Sequence, residues 1–223
     1  MDATPTALAA FGAGVLSVVS PAIAPLLPAF NAYLWSRGLA QIAAFLLAFS
    51  LVFVVLGAGA TAIGQTLLEH LALVERIAGV TLAALGLRDL RAARTARTPG
   101  REAPEPATAG ALVAAGAAGA ALMFGWTPIA GVVLNQVLAV ATSPDTIDRG
   151  LWLLAANAAG RALPLVALGV ASGLILRRAT ATGRSRGRLQ LIAGGVVALT
   201  GILIASGLVP PIAAALVRLL PVA

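Results

Sequence analysis

Long apolar runs separated by short polar segments dominate the hydropathy pattern of this chain. Six of them reach, or nearly reach, the roughly 20 residues with which an α-helix crosses a bilayer. They cover residues 7–30, 38–63, 73–87, 110–141, 150–176 and 189–209. The pattern predicts an all-α integral membrane protein with six transmembrane helices, the last of which is expected to end at Pro210 and Pro211.

Prolines interrupt two of these runs. The interrupting residues and their neighbours are Ser20, Pro21, Pro25 and Pro28 in the first run and Thr127, Pro128 and Gly131 in the fourth. Each proline removes a backbone donor and clashes with the preceding turn. Non-helical backbone at membrane depth is tolerated only where protein or a water-filled cavity surrounds it. We therefore expect the first and fourth helices to be broken at these prolines and to form a central site.

The two halves of the chain match each other in order. The matched pairs are Pro21 with Pro128, 107 residues apart; Arg37 with Arg149 and Gly57 with Gly169, 112 apart; and Gly79 with Gly194 and Gly86 with Gly201, 115 apart. Because the separation changes only between runs, the pattern predicts two three-helix repeats, about 7–87 and about 110–209. An odd number of helices inverts the second repeat in the membrane. Interrupted helices at matching places of inverted repeats indicate a transport site.

The remaining segments complete one transmembrane domain over residues 1–223. Residues 88–109 are polar and rich in arginine, which predicts a loop between the repeats. Residues 210–223 are apolar but too short to cross the bilayer. We expect this tail to lie in the membrane interface.

Charge is scarce and lies mainly on one side of the predicted bundle. The chain is 60% hydrophobic and 10% charged, whereas about a quarter of the residues in a soluble domain are charged. It has a net charge of +7, and most of its arginines lie in segments reached after an odd number of crossings. The positive-inside rule places these segments in the cytoplasm. We therefore expect a multi-pass inner-membrane protein with both termini outside the cytoplasm and no nucleic-acid partner.

The chain contains no cysteine and a single histidine, His70. This composition excludes disulfides, thiolate metal sites, cysteine nucleophiles and histidine-cluster metal sites. No cofactor is expected.

Four polar residues lie inside the apolar runs and form a candidate polar path: Asn135, Gln136, Asn157 and Arg161. A charge at bilayer depth is costly unless it pairs or meets water. Arg161 therefore predicts either a binding site for an anionic solute or a structural contact to carbonyls freed by the prolines. The three amides could line a polar path, but residues of this kind more often serve as hydrogen-bond partners between helices.

Three motifs resemble the CcdA/DsbD transmembrane family. Residues 20–28 read Ser-Pro-Ala-Ile-Ala-Pro-Leu-Leu-Pro, residues 49–53 read Phe-Ser-Leu-Val-Phe, and residues 125–131 read Gly-Trp-Thr-Pro-Ile-Ala-Gly. The resemblance covers all six runs. It implies an oxidoreductase that carries reducing equivalents across the membrane for cytochrome c biogenesis, with thioredoxin-like partners.

The two cysteine positions of the family motifs are occupied here by Ala22 and Ile129. A thiolate is the nucleophile in thiol–disulfide exchange, so no catalytic residue is expected. Natural divergence and deliberate removal of the cysteines both account for this. The bulky isoleucine at position 129 favours divergence.

Three functions remain open from the sequence. The chain is a cysteine-free relative acting in cytochrome c biogenesis, an alternating-access transporter of a small solute or anion, or a non-catalytic membrane assembly factor. In each of the three cases we expect the protein to be embedded in the lipid bilayer.

The predicted topology can be tested with single cysteines, because the chain has none of its own. We expect an impermeant thiol reagent applied to intact cells to label Ala3→Cys and not Thr98→Cys. The positive-inside rule places position 98 in the cytoplasm and position 3 outside. Labelling of Thr98→Cys before the cells are permeabilised would contradict this topology.

Overall fold

The computed structural model describes residues 6–18, 26–34, 37–57, 66, 69–95, 107–126, 147–179 and 183–219. These residues form eight α-helices and no strand. The helices are α1 (Ala7–Ser17), α2 (Leu27–Leu34), α3 (Leu39–Gly57), α4 (Leu71–Thr95), α5 (Ala109–Trp126), α6 (Ile147–Ala179), α7 (Gly183–Ala205) and α8 (Val209–Leu219). The all-α prediction is confirmed for this part of the chain.

Three of these helices contain segments long and apolar enough to cross a membrane. They are Leu39–Gly57 in α3, Ile147–Ser172 in α6 and Gly187–Ala205 in α7. Two shorter apolar helices, Ala7–Ser17 and Ala109–Gly125, accompany them. The protein is therefore a multi-pass helical membrane protein. Residues 19–25 and 127–146, on which the predicted proline breaks fall except for Pro28, lie outside the described residues.

Helix α4 continues beyond the end predicted for the third apolar run. A loop was predicted from residue 88, but α4 runs to Thr95, whose Oγ1 donates to the carbonyl of Arg91 at 3.0 Å. Residues 88–95 are mostly arginine, leucine and alanine, which are among the best helix formers. The charged residues lower the hydropathy of this segment, so the prediction excluded it from the apolar run. They do not end the helix.

A glycine rather than the proline pair ends α7. Gly207 adopts a positive φ of 70°. Its N–H donates to the carbonyl of Ile204 and the N–H of Leu208 donates to that of Leu203, both at 3.0 Å. This is a Schellman motif. The prediction that the sixth helix ends at Pro210 and Pro211 was therefore wrong. Both prolines lie in the first turn of α8, where backbone N–H groups have no acceptor within the helix, so their missing N–H costs nothing there.

Helices α4 and α7 pack with their backbones in close contact. A Cβ atom on Gly79 would lie 2.3 Å from the backbone nitrogen of Ala205, and one on Gly201 would lie 2.3 Å from that of Ala83. Further along the same seam, a Cβ on Gly86 would lie 2.7 Å from the Cα of Ala198. Small residues allow this approach, which is the usual means of helix association in a membrane.

Two further helix pairs cross in the same way. Helix α1 crosses α6, where a Cβ on Gly160 would lie 2.1 Å from the carbonyl oxygen of Phe11. Helix α3 crosses α5, where a Cβ on Gly119 would lie 2.0 Å from the carbonyl oxygen of Phe45. Glycine is therefore required at both crossings.

Aromatic side chains fill the space between α2 and α3. The ring of Phe30 packs edge-to-face against Phe45 and Phe49, with centroids 5.5 and 5.3 Å apart. Tyr33 stacks on Phe45 at 5.5 Å. Edge-to-face and offset arrangements are the favoured geometries of aromatic pairs. This cluster holds the short α2 against the membrane-spanning α3.

The α4–α7 seam gives a stability prediction with a matched control on the same helix. We expect Gly201→Ala to lower the free energy of unfolding by about 1–3 kcal/mol, because its methyl group overlaps the backbone of α4. Gly195→Ala adds the same methyl where no atom lies within 4 Å, and it should be neutral or stabilising through helix propensity. Thermal unfolding in mild detergent, followed by circular dichroism, compares the two. Equal melting temperatures would contradict the close seam.

Candidate functional site

Most of the residues predicted for the central site lie outside the described part of the chain. These are Ser20, Pro21, Ala22, Pro25, Thr127, Pro128, Ile129, Gly131, Asn135 and Gln136. Of the others, Pro28 is the second residue of α2, a position where its missing N–H leaves no intrahelical bond unmade. Asn157 and Arg161 both lie on α6 and are buried.

Arg161 is the only charged residue that is buried within the described part of the chain, with 2% of its surface exposed. Its guanidinium carbon lies 4.0 Å from the centroid of the Phe53 ring. Phe53 is on α3 and is itself 4% exposed. A cation over the face of an aromatic ring is attracted by the ring quadrupole, by about 2 kcal/mol or more when both groups are desolvated. This contact joins α6 to α3 through a charge.

Asn157 lies one helical turn before Arg161 and is 1% exposed. Its Nδ2 donates a hydrogen bond of 2.8 Å to the carbonyl oxygen of Ala10 on α1. Its Oδ1 is also buried but has no hydrogen-bond partner among the described residues. A buried acceptor left without a donor costs about 1–3 kcal/mol. The amide thus ties α6 to α1 with one end and leaves its acceptor available.

The crossing of α1 and α6 lies beside these two side chains. A Cβ on Gly14 would lie 2.2 Å from the carbonyl oxygen of Asn157 and 3.1 Å from the backbone nitrogen of Arg161. Gly160, between them in the sequence, contacts the backbone of Phe11. The two polar residues are therefore placed by backbone contact between the helices, and α3 closes the site with Phe53.

The chemistry available at this site is electrostatic. Arg161 carries a permanent charge with five N–H donors, and Asn157 adds one acceptor. The described residues contain no group of three or more histidine, aspartate or glutamate side chains that could hold a metal ion. The arrangement therefore offers a positive charge and an acceptor of hydrogen bonds side by side on α6.

Sequence reasoning found Arg161 and Asn157 but missed Phe53 and Ala10. Phe53 stands in the 49–53 motif, where nothing in the pattern assigned it a role. Ala10 contributes only a backbone carbonyl, so its side chain carries no signal.

A second polar cluster, also missed from the sequence, joins the α2–α3 turn to α4. Arg37 forms an ion pair with Asp89 and lies 4.6 Å from the ring centroid of Tyr33. The side chain of Gln41 is 1% exposed and accepts a hydrogen bond of 2.8 Å from the backbone N–H of Gly38. These contacts cap the start of α3 and hold it to the arginine-rich end of α4.

Comparison with known proteins relates the chain to cytochrome c biogenesis. The family model described as cytochrome C biogenesis protein transmembrane domain matches residues 4–188. The cytochrome c-type biogenesis protein CcdA of Halalkalibacterium halodurans is 28% identical over 227 residues, covering 95% of this chain and 95% of that protein. A putative cytochrome c-type biogenesis protein of Haemophilus influenzae is 29% identical over 198 residues, covering 87% of this chain and 92% of that protein. Since the family model spans most of the chain and both relatives align over most of their length, the chain belongs to the CcdA/DsbD transmembrane family.

Proposed function

We propose that this protein uses the CcdA-type membrane scaffold to bind and move a small anion, and that it does not relay reducing equivalents. The observation that carries the proposal is the buried charge of Arg161 on α6, enclosed by α1 and α3 in a chain without cysteine. An ionisable residue within a membrane span marks a functional site by default. A positive charge in a low-dielectric interior attracts an anion strongly.

We further propose that the scaffold is a six-span inverted repeat. The α4–α7 seam supports this, because its contacts are reciprocal. A Cβ on Gly79 would lie 2.7 Å from the carbonyl oxygen of Gly201, and one on Gly194 would lie 3.1 Å from that of Gly86. The matched positions of the repeat are Gly79 with Gly194 and Gly86 with Gly201. Exchanging the halves therefore turns one contact into the other, as a two-fold axis requires.

The other two crossings pair the runs in the same way, and their glycines, Gly14 and Gly119, are 105 residues apart against 107 for Pro21 and Pro128. Helices α1 and α6 belong to the first and fifth predicted runs, and α5 and α3 belong to the fourth and second. A Cβ on Gly14 would meet the carbonyl oxygen of Asn157, and one on Gly119 would meet that of Phe45. Phe45 and Asn157 are 112 residues apart, the separation that relates the second and fifth runs. Each crossing thus places a glycine over the same position of the repeat.

This relation also supports a functional role for Arg161. The position matched to Arg161 in the first half is Phe49, and the position matched to Asn157 is Phe45. Both phenylalanines are fully buried and pack on Phe30. Aromatic residues therefore serve the helix crossing in one half. The presence of Asn157 and Arg161 in the other half therefore supports a role for this pair in addition to packing.

The absence of cysteine supports the other part of the proposal. Exchange of a disulfide proceeds by attack of a thiolate through a mixed disulfide. The only sulfur atoms of this chain belong to two methionines, and the motif positions carry Ala22 and Ile129. A methionine thioether does not undergo this exchange. We place the scaffold in the inner membrane with both termini outside the cytoplasm, which the distribution of arginines supports.

A second candidate function is favoured by the names of the relatives. Both are described as cytochrome c-type biogenesis proteins. In this alternative the chain acts as a non-catalytic assembly factor and contacts thioredoxin-like proteins that supply the thiols. A genetic requirement for the protein in cytochrome c maturation, together with no anion flux, would select it.

The redox part of the proposal can be tested by reconstitution. Thioredoxin and its reductase are enclosed in vesicles, and a disulfide-bonded acceptor is added outside. We expect the acceptor to be reduced no faster than with protein-free vesicles, because the chain has no thiol. The Ala22→Cys/Ile129→Cys double variant is expected to gain activity if the conduit geometry has been retained. Reduction by the cysteine-free protein would overturn this part of the proposal.

The transport part can be tested by counterflow of radiolabelled acetate, glycolate and hydrogencarbonate in proteoliposomes. We expect at least one anion to move faster than in protein-free vesicles. Arg161→Gln should lower that rate by about tenfold or more, since it removes a charge interaction worth at least about 1.4 kcal/mol. Arg161→Lys keeps the charge and should retain part of the flux.

Arg149→Gln is the matched control, because Arg149 lies on the same helix but is exposed. It should leave the rate within about twofold of the original. Monodisperse elution in detergent establishes that each variant is folded. Absence of flux for all three anions, or equal rates for Arg161→Gln and Arg149→Gln, would overturn the transport proposal.

A further inference from the structure

We infer that the preferred anion carries its own hydrogen-bond donor, as hydrogencarbonate and 2-hydroxycarboxylates do. This inference rests on the proposed function and narrows its substrate class. The observation behind it is the side chain of Asn157, whose two polar atoms have different surroundings. Its Nδ2 is bonded to α1, whereas its Oδ1 has no partner among the described residues.

The orientation of the Asn157 amide is determined by its neighbour on α1. The carbonyl oxygen of Ala10 lies 2.8 Å from Nδ2 and accepts its hydrogen. Turning the amide over would bring Oδ1 against this carbonyl, and two acceptors would face each other without a proton between them. The amide group therefore keeps its oxygen, not its nitrogen, as the atom without a hydrogen-bond partner.

Arg161 and Asn157 supply complementary groups from one helix. Residues four apart on a helix lie on the same face, one above the other. Arg161 offers only donors and a positive charge, and Asn157 Oδ1 offers only lone pairs. A ligand that contacts both must present an anionic oxygen to the guanidinium and an O–H or N–H to the amide oxygen. A halide, nitrate or simple alkanoate offers the first group but not the second.

The helix crossing itself does not call for an acceptor at this place. The matched position in the first half, Phe45, makes the corresponding contact to α5 with its backbone carbonyl and fills the interior with an aromatic ring. An asparagine with an unsatisfied buried oxygen is less favourable there than a group without polar atoms. A ligand that donates a hydrogen bond to Asn157 Oδ1 removes this cost. The site is therefore expected to prefer anions that carry a donor.

The size of the preference follows from one hydrogen bond. A neutral hydrogen bond contributes about 0.5–1.5 kcal/mol, and leaving the acceptor unpaired in the complex raises the discrimination further. We therefore expect about a tenfold preference for an anion with a donor over a matched anion without one.

Two pairs of anions of matched shape test the inference. Glycolate and propionate differ by a hydroxyl in place of a methyl group, and hydrogencarbonate and nitrate are both planar monoanions of which only the first has an O–H. Each is added as a competitor of labelled-anion counterflow at mildly alkaline pH. The donor-bearing member should inhibit at about tenfold lower concentration. The pair with the larger ratio distinguishes a carboxylate substrate from an inorganic one.

Two variants test whether the preference for donor-bearing anions depends on Asn157. Asn157→Leu keeps the approximate shape without the amide, and the ratio within each pair should fall to near one. Arg161→Gln should weaken all four anions. A wild-type ratio near one for both pairs would overturn the inference while leaving anion transport intact, and this result requires no variant to fold.

Binding provides a readout that does not depend on transport. The melting temperature of the purified protein is measured with each of the four anions at equal ionic strength. A larger rise with glycolate than with propionate, or with hydrogencarbonate than with nitrate, supports the inference even where no flux occurs. The absence of any specific rise, together with no flux, would overturn both the inference and the proposed function.

Discussion

Close backbone contact between α1 and α6 is the constraint on which the rest of the site depends. Gly14 and Gly160 let the two helices approach until the backbone of each touches the other. That approach brings the carbonyl of Ala10 within hydrogen-bond distance of Asn157. It also places Arg161 where α3 can cover its guanidinium with the Phe53 ring. A side chain on either glycine would separate the helices and open the charge to its surroundings.

The same kind of contact explains how the fold is held together in a chain without cysteine. In a membrane, helices associate through close packing of small residues because burial of apolar surface gives no advantage over lipid. The seams at Gly79 and Gly201, and at Gly119, need no thiol. The absence of cysteine therefore leaves the interactions that hold these helices together unaffected. The scaffold remains available for a different task.

Arg161 is the residue on which our proposal of anion binding rests. A buried charge is expensive in an apolar interior, and its aromatic neighbour Phe53 offsets only part of the cost. In the proposed repeat, the position matched to Arg161 is Phe49, which is buried and packs on Phe30. We propose that the two halves share their crossings and differ in polarity at this point because only one of them forms a binding site. This asymmetry is what separates the proposed anion site from ordinary interhelical hydrogen bonding.

The sequence by itself determined the membrane class, the apolar runs and the candidacy of Asn157 and Arg161, two of the buried polar residues, because hydropathy and charge are properties of composition and spacing. It did not determine where helices end. The end of α4 at Thr95 depends on helix propensity and the end of α7 depends on the turn at Gly207, and hydropathy measures neither. Only the tertiary structure decided which groups meet. Asn157 meets a backbone carbonyl at Ala10, and Arg161 meets a ring at Phe53. Both lie more than a hundred residues away in the chain, and the helix crossings that join them are a property of three dimensions.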